Sequence, residues 1–554
     1  MTSIAPTGSA PTVYDALRAS ALRAPDAPAL HITASTARAY GIAAREYRYG
    51  ELLAAIDTQA GAYRAAGVIA GLRIGLMLEN RPDFFIHWLA LNALGASVVP
   101  INTELRTAEL EYLFDNSELC LVMALPHCLD ALRAAIARGG RDILLATPGD
   151  ALPALQARPV CPPPATPRGA ECALLYTSGT TGLPKGCVLD NDYFLLSGKR
   201  YLELGGLCEI RPGVERLITP LPMVHMNAMA CSTTAMLLSG GCIIPLDRFH
   251  PASWWSDVRE SGATIVHYLG VMPAMLMGAG ADPLDRAHLV RFGFGAGVAH
   301  SLHQAFETRF GFPLVEAWGM TETGNHAAIV ANLPPRRIGR SCIGRPPAHV
   351  DIRLVDAAGR DVPAGADGEL LVRIHGENPR RGFFREYLKN PEATAEAWVG
   401  GWFHTGDVVR QDEEGYLYFV DRRKNVIRRS GENISAVEVE SVLLRHPAIR
   451  AVGVAPTPDP VRGEEVFACI VARERPEASH APELAAAIVD WALQELSYFK
   501  VPGYIAFVDE LQLTTSQKIQ RALLKEVAAT LPGTAACIDL RHLKKRPRDA
   551  AGHA

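Results

Sequence analysis

From Arg73 onward, the apolar and polar positions alternate between two periods. Ile74-Gly-Leu-Met-Leu78 is a short continuous apolar run, the pattern of a buried strand. Asp83 to Leu94 places Phe84, Trp88 and Leu91 on one helical face, which predicts an amphipathic helix turned to a core. Ser97 to Ile101 reads as strand, Thr107 to Asn116 as helix and Leu119 to Met123 as strand. Strand and helix in alternation predict an α/β layered fold with a mostly parallel sheet. Pro153 to Pro167 breaks the pattern and reads as an irregular connection. A second α/β block is expected from about Leu217 to Ala331. Gly339 to Val420 is rich in strands and turns, punctuated by Asp356-Ala-Ala-Gly359, Ala366-Asp-Gly368 and Glu413-Glu-Gly415, and predicts a smaller β unit. The basic run Arg422 to Arg429 then opens a βαβ-like tail of about 130 residues, a plausible size for one domain. The main boundary is placed there, giving units 1–421 and 422–554.

Composition narrows the class. A chain of 554 residues is expected to form roughly two to four structural units. Hydrophobic residues make up 48% and charged residues 21%, as in globular enzymes, and the formal net charge of −4 gives no footprint for nucleic acid. The basic stretch Arg541 to Arg548 reads as a solvated terminus. Eleven cysteines without a C-x-x-C pair argue against structural zinc and a disulfide framework, and for a reducing, cytoplasmic compartment. Neither a signal peptide nor an apolar run of membrane-spanning length is read in the chain.

The chemistry begins at Tyr176-Thr-Ser-Gly-Thr-Thr-Gly-Leu-Pro-Lys-Gly186, which follows a β-prone run. Glycines let backbone N–H groups approach an anion closely. Thr177, Ser178, Thr180 and Thr181 add hydroxyl donors around Gly179 and Gly182, and Lys185 adds a charge. This is equipment for a nucleotide polyphosphate. It is not a Walker A loop, because Gly186 and Cys187 follow the lysine. Five further strings join it: Leu221 to Asn227, Glu316 to Thr323, Gly401 to Asp407, Phe419 to Asn433 and Thr514 to Arg521.

This ordered set resembles the adenylate-forming superfamily of acyl-CoA synthetases, peptide-synthetase adenylation domains and luciferases. The match runs from about Tyr49 to Leu524. The resemblance implies a large N-terminal domain of two α/β lobes plus a β-barrel-like unit, and a small mobile α+β C-terminal domain. It also implies ATP, Mg²⁺ and coenzyme A as cofactors. Thr177 to Lys185 would wrap the β- and γ-phosphates. Thr321 would bond the α-phosphate and Glu322 would help to hold Mg²⁺. Trp318, where the family usually has Tyr, would stack on adenine. Asp407 would accept from the ribose hydroxyls with Arg422 beside it.

Lys518 matches the family's catalytic lysine, which bridges carboxylate and α-phosphate. Viewed alone it would be an ordinary surface lysine. Gln517 replaces the usual preceding glycine, which puts the loop geometry in question. His225, a histidine in an apolar stretch, reads by itself as a core residue; the resemblance makes it a gate or wall of the carboxylate pocket. Lys424 maps to the hinge about which the small domain would turn. The face bearing Ser430, Gly431 and Glu432 would then replace the Lys518 face for transfer to CoA.

The Val224 to Met229 segment lacks the acid that would grip an α-amino group, and no carrier domain is read after the small domain. A free-standing acyl-CoA ligase of a small-molecule carboxylic acid is therefore expected, similar to the carnitine/crotonobetaine CoA ligase branch, which also holds ligases of short, medium and aromatic acids. Its acyl pocket would include Met226, Asn227, Val271, Gly295 and Gly297, with Asn227 and His267 as polar handles. A ligase loading a carrier protein and a catalytically weak nucleotide-binding relative are the alternatives. The sequence leaves room for a homodimer.

Overall fold

The computed structural model describes residues 10–156, 158–177, 183–422, 426–477, 479–512 and 519–544. The alternation read from Arg73 forms Arg73–Met77, helix Pro82–Ala93, Ser97–Pro100, helix Thr107–Ser117 and Leu121–Ala124. These strands build one sheet in the order Leu144–Ala146, Leu121–Ala124, Arg73–Met77, Ser97–Pro100, Glu171–Thr177, Lys185–Asp190. It is parallel except for the last pair, where the two strands flanking the phosphate-loop sequence run antiparallel.

One expectation needs amending. The Pro82–Ala93 helix is buried on nearly every side, with Phe85, His87, Leu89, Ala90 and Asn92 enclosed as well as Phe84, Trp88 and Leu91. Helices Val13–Arg23 and Tyr49–Ala65 cover its outer face. Two of its buried polar residues are satisfied internally: His87 Nδ1 pairs with Tyr63 Oη at 2.7 Å, and Asn92 Nδ2 donates to Asn191 Oδ1 at 2.9 Å.

The second sheet has the order Ile329–Val330, Leu314–Trp318, Phe292–Ala296, Ile265–Leu269, Arg216–Thr219, Cys242–Pro245, Pro28–Ile32, Arg45–Arg48. Its inner strands are parallel. The sequence reading missed the early strands Pro28–Ile32 and Arg45–Arg48, which cross over to extend this lobe beside Ile243. Strands between Cys342 and Arg422 form the antiparallel third sheet. Val426–Arg429 starts a fourth, in which Gly463–Ala472 and Tyr504–Phe507 are parallel and joined through helix Ala481–Glu495, the expected βαβ unit. Its core, including Ile427, Ile434, Val439, Ile470 and Ile488, is separate from the core shared by the first and third sheets. Among the described residues no helix is long and apolar enough to cross a membrane.

Arg73 and Glu171 tie the first sheet together. Arg73 donates through Nε to Glu171 Oε1 at 2.7 Å and through Nη2 to Oε2 at 2.9 Å, and both side chains are at most 2% exposed. Arg385 of the following segment donates to the same carboxylate. Glu171→Ala leaves the buried Arg73 with Glu118, 3.7 Å away, as its carboxylate and removes its two-point partner; it is expected to destabilise the N-terminal lobes by about 3–5 kcal/mol. Denaturant titration followed by tryptophan fluorescence measures this; a shift under about 1 kcal/mol would mean that the pair adds little.

Candidate active site between two units

Strands Arg216–Thr219, Ile265–Leu269 and Phe292–Ala296 are parallel neighbours, so their carboxyl ends lie on one edge. Open α/β sheets bind ligands at such edges. The segments leaving these strands, and leaving Leu314–Trp318 beside them, carry His225, Met226, Asn227, Val271, Gly297, Thr321 and Glu322.

Glu322 is the centre of one group. Its buried carboxylate accepts from Tyr387 Oη at 2.8 Å, and Thr177 Oγ1 lies 3.5 Å from the same oxygen. Lys185 Nζ lies 5.0 Å from the centre of the Tyr387 ring. Thr321 is held by its backbone, whose carbonyl accepts from Tyr193 Oη at 2.8 Å. The structure thus brings Thr177, Lys185 and Glu322 to one place. Tyr387 was not anticipated; it lies in Phe383 to Leu388, where no glycine or charge pattern distinguishes it from core packing. Ser178, Gly179, Thr180, Thr181 and Gly182 lie outside the described residues, as do Lys424 and Lys518.

Trp318 and Asp407 form a second group. The indole N–H of Trp318 donates to Asp407 Oδ2 at 2.8 Å, and both residues are buried. Tyrosine, the usual residue here, carries its polar atom at the ring tip instead. Arg422 ends its strand opposite Asp407. Behind them Glu316, also buried, accepts from the backbone N–H groups of Gly297 and Val298, each at 2.9 Å. Burial pushes the Glu316 carboxyl up, against the pull of these two N–H groups.

The predicted pocket residues have distinct surroundings. Met226 is half-buried against the main core, and Val271 opens helix Val271–Met277. A Cβ on Gly295 would sit 2.2 Å from the Tyr268 carbonyl oxygen, so this glycine serves close strand packing. Gly297 has φ +82°, a conformation that favours glycine, and a Cβ on Gly270 would strike its carbonyl.

The C-terminal unit closes the site. Gly431 has φ +93°, and a Cβ there would lie 2.3 Å from Leu269 Cδ1. Next to it, Glu432 Oε2 faces His225 Nε2 at 3.5 Å. Burial would lower the His225 pKa, but Glu432 outweighs it and raises it above the ordinary histidine value. A cavity of about 620 Å³ lies between the units and brings together Thr177, Thr321, His225 and Glu432. Ser430, with φ +49°, is fixed by its N–H donating to the Arg462 carbonyl at 2.9 Å.

Unanticipated charges hold this seating. Lys500 Nζ donates to Glu109 Oε1 at 2.5 Å and to Glu438 Oε1 at 2.6 Å. Glu109 Oε2 accepts from Ser497 N at 3.0 Å and Ser497 Oγ at 2.7 Å. All three charged side chains are about 8% exposed. Burial alone would lower the Lys500 pKa, yet the two carboxylates reverse this and keep it protonated.

The profile of the AMP-binding enzyme family matches residues 17–387, and that of the AMP-binding enzyme C-terminal domain matches residues 438–518. The crotonobetaine/carnitine–CoA ligase of Salmonella paratyphi A is 32% identical over 497 residues, covering 87% of this chain and 93% of the relative. The sulfoacetate–CoA ligase of Cupriavidus necator is 34% identical over 488 residues, covering 86% and 91%. Among solved structures, a malonyl-CoA ligase with methylmalonyl-CoA and AMP bound superposes with a TM-score of 0.71 at 27% identity, covering 88% and 97%. An o-succinylbenzoate CoA synthetase from Bacillus subtilis shares the fold, with a TM-score of 0.76 at 23% identity over 92% and 98%. The chain therefore belongs to the AMP-binding enzyme family, within the adenylate-forming superfamily.

Glu109→Ala removes the acceptor shared by the Ser497 N–H and hydroxyl and one partner of Lys500. Hydrogen exchange at the Ser497 amide and in residues 430–433 is expected to rise roughly 10- to 100-fold, as the loss of charged hydrogen bonds implies. Unchanged protection at both segments would show that the charges do not hold the units together.

Proposed function

We propose that the protein is an ATP-dependent, AMP-forming carboxylic acid–CoA ligase. The observation that supports this most is the cavity between the units, where Thr177, Thr321 and His225 of the N-terminal unit meet Glu432 of the C-terminal unit. The relatives named above are CoA ligases. In this reading the division falls near residue 421, between the third sheet and the strand Val426–Arg429.

The first half-reaction joins a carboxylate oxygen to the α-phosphorus of ATP and breaks the bond to pyrophosphate. Charge develops on the phosphates, so donors and cations must already stand there. Thr177, the hydroxyls at 178, 180 and 181, and Lys185 are assigned to the β- and γ-phosphates, and Thr321 to the α-phosphate. Glu322 suits Mg²⁺, a cation that prefers oxygen ligands and phosphates, because it is a carboxylate held by the Tyr387 hydroxyl. The metal would neutralise phosphate charge. Trp318 is assigned to the adenine face and Asp407, with Arg422, to the ribose. Lys518 bridges the two anions as a compact ammonium.

In the second half-reaction the CoA thiolate attacks the acyl carbonyl and AMP leaves. The described seating of Ser430 to Asn433 is assigned to this step, in which Gly431, lacking a side chain, would let a thin pantetheine arm pass close to the backbone. His225 then acts as a gate held toward Glu432. Lys424 is the proposed hinge between this seating and one that presents Lys518.

Two measurements test the proposal. With a panel of carboxylic acids, ATP and CoA, AMP and pyrophosphate should appear in equal amounts; ADP and phosphate instead would refute the chemistry. Lys518→Ala should slow adenylation by roughly 10²–10³, the usual effect of removing one preorganised electrostatic partner, and slow thioester formation from supplied acyl-AMP much less. Equal losses in both half-reactions would make the lysine structural.

A further inference from the structure

The turn that faces His225 is strained. Strands Val426–Arg429 and Glu432–Ser435 pair antiparallel with Arg429 opposite Glu432, so only Ser430 and Gly431 connect them. Both have positive φ, +49° and +93°. This is the two-residue hairpin turn for which asparagine–glycine is the favoured sequence. Serine carries a Cβ, so it takes the left-handed conformation at a cost and keeps it only where its surroundings over-determine it. The next residue, Glu432, faces His225 and lines the cavity, so the shape of the turn decides where Glu432 stands.

Two segments supply those surroundings. The first is the corner Asp459 to Glu465. The Ser430 N–H donates to the Arg462 carbonyl at 2.9 Å, Arg429 pairs with Gly463, and the Arg428 N–H donates to Glu464 Oε2 at 2.6 Å. Arg429 Nε donates to Glu465 Oε2 at 2.8 Å. The second is Ile538 to Lys544, which starts as a short strand beside Tyr504–Phe507. Lys544 Nζ donates to Glu465 Oε1, and the side chains of Arg429, Glu465 and Lys544 are all at most 1% exposed. Arg541 reaches the same corner from the other side. Its Nη1 donates to Asp459 Oδ2 at 3.0 Å, while Asp459 Oδ1 accepts from the N–H groups of Val461 at 2.9 Å and Arg462 at 2.8 Å.

The expectation that Arg541 to Arg548 is a solvated terminus therefore fails at Lys544. A basic run shows its charge in the sequence, but not a carboxylate 79 positions earlier. Two cations share that carboxylate. Burial and the Arg429 guanidinium push the Lys544 pKa down to about 7. Without Lys544, Glu465 would still be paired with Arg429, so a substitution there loosens geometry and does not leave a buried charge unpaired.

We propose that Lys544 and Arg541 are positioning residues for transfer to CoA. Through Glu465 and Arg429 on one side, and through Asp459 and Arg462 on the other, they hold Ser430 and Gly431 in the left-handed turn that sets Glu432 against His225. This rests on the reading above that assigns the Ser430 to Glu432 face to the second half-reaction.

The test compares the two half-reactions in the full chain, using the acid that releases pyrophosphate fastest in the panel above and its synthetic acyl-AMP. Lys544→Met and Arg541→Ala should each slow thioester formation from acyl-AMP and CoA roughly tenfold, the scale of one charged hydrogen bond, and leave adenylation unchanged. Adenylation is the control for folding, because Lys518 lies in the same C-terminal domain. A second comparison separates positioning from stability. Asparagine adopts this turn more readily than serine, so in a Ser430→Asn background Lys544→Met should cost transfer much less than in the wild type. Equal losses in both half-reactions, unaffected transfer in either variant, or an undiminished effect of Lys544→Met in the Ser430→Asn background would overturn the proposal. A wild type that forms no thioester from acyl-AMP and CoA would overturn the reading on which it rests, and the proposal with it.

Discussion

Lys500 carries its charge into the contact between two units where little water remains, and the geometry of the candidate site follows from how that charge is met. A buried ammonium is costly unless carboxylates and hydrogen bonds compensate it. Here Glu438 of its own unit supplies one acceptor and Glu109 of the other supplies the second. Because Glu109 also binds the backbone and side chain of Ser497, the contact defines an orientation as well as an attraction. Seating the unit this way brings Gly431 against Leu269 and Glu432 opposite His225. The cavity between the units is a consequence of that placement.

The N-terminal side of the cavity follows a different rule. Most of its candidate groups stand on segments leaving parallel strands, Asp407 on the antiparallel third sheet, and each is fixed by a partner behind it. Tyr387 holds Glu322, Trp318 holds Asp407, Glu316 holds the Gly297–Val298 backbone, and His267 holds Asn227. Side chains set in advance lose less entropy and need less rearrangement when charge develops on a substrate. The closely packed glycines at 270, 295 and 297 serve the same end, by bringing strand ends together where any side chain would collide.

Much of this was legible in the sequence because the signals are local. Apolar runs and helical spacing predicted the strands and helices from Arg73 to Ala124, and the Gly/Thr string, Glu322 and Asp407 stood in compact motifs. What was missed depends on contacts between distant residues. Glu109 and Lys500 are 391 positions apart, and Glu109 in its own segment is an ordinary N-terminal helix carboxylate that accepts from the Arg106 backbone. The strand Pro28–Ile32 finds its parallel partner beyond residue 240 and Arg45–Arg48 joins the sheet through it, and no periodicity within them could indicate which sheet they join. His267 reads in the sequence as a polar handle of the acyl pocket; in the fold both its ring nitrogens are taken, by Tyr201 on one side and by Asn227 and Ser232 on the other.

The central claim is that a carboxylate oxygen attacks the α-phosphorus of ATP in the site around Thr321 and Glu322. Isotope transfer reports on that bond directly. With an acid whose carboxylate carries heavy oxygen, and with CoA present, mass spectrometry of the products should find one heavy oxygen in AMP and none in pyrophosphate. Heavy oxygen in pyrophosphate or inorganic phosphate, with AMP unlabelled, would contradict the account.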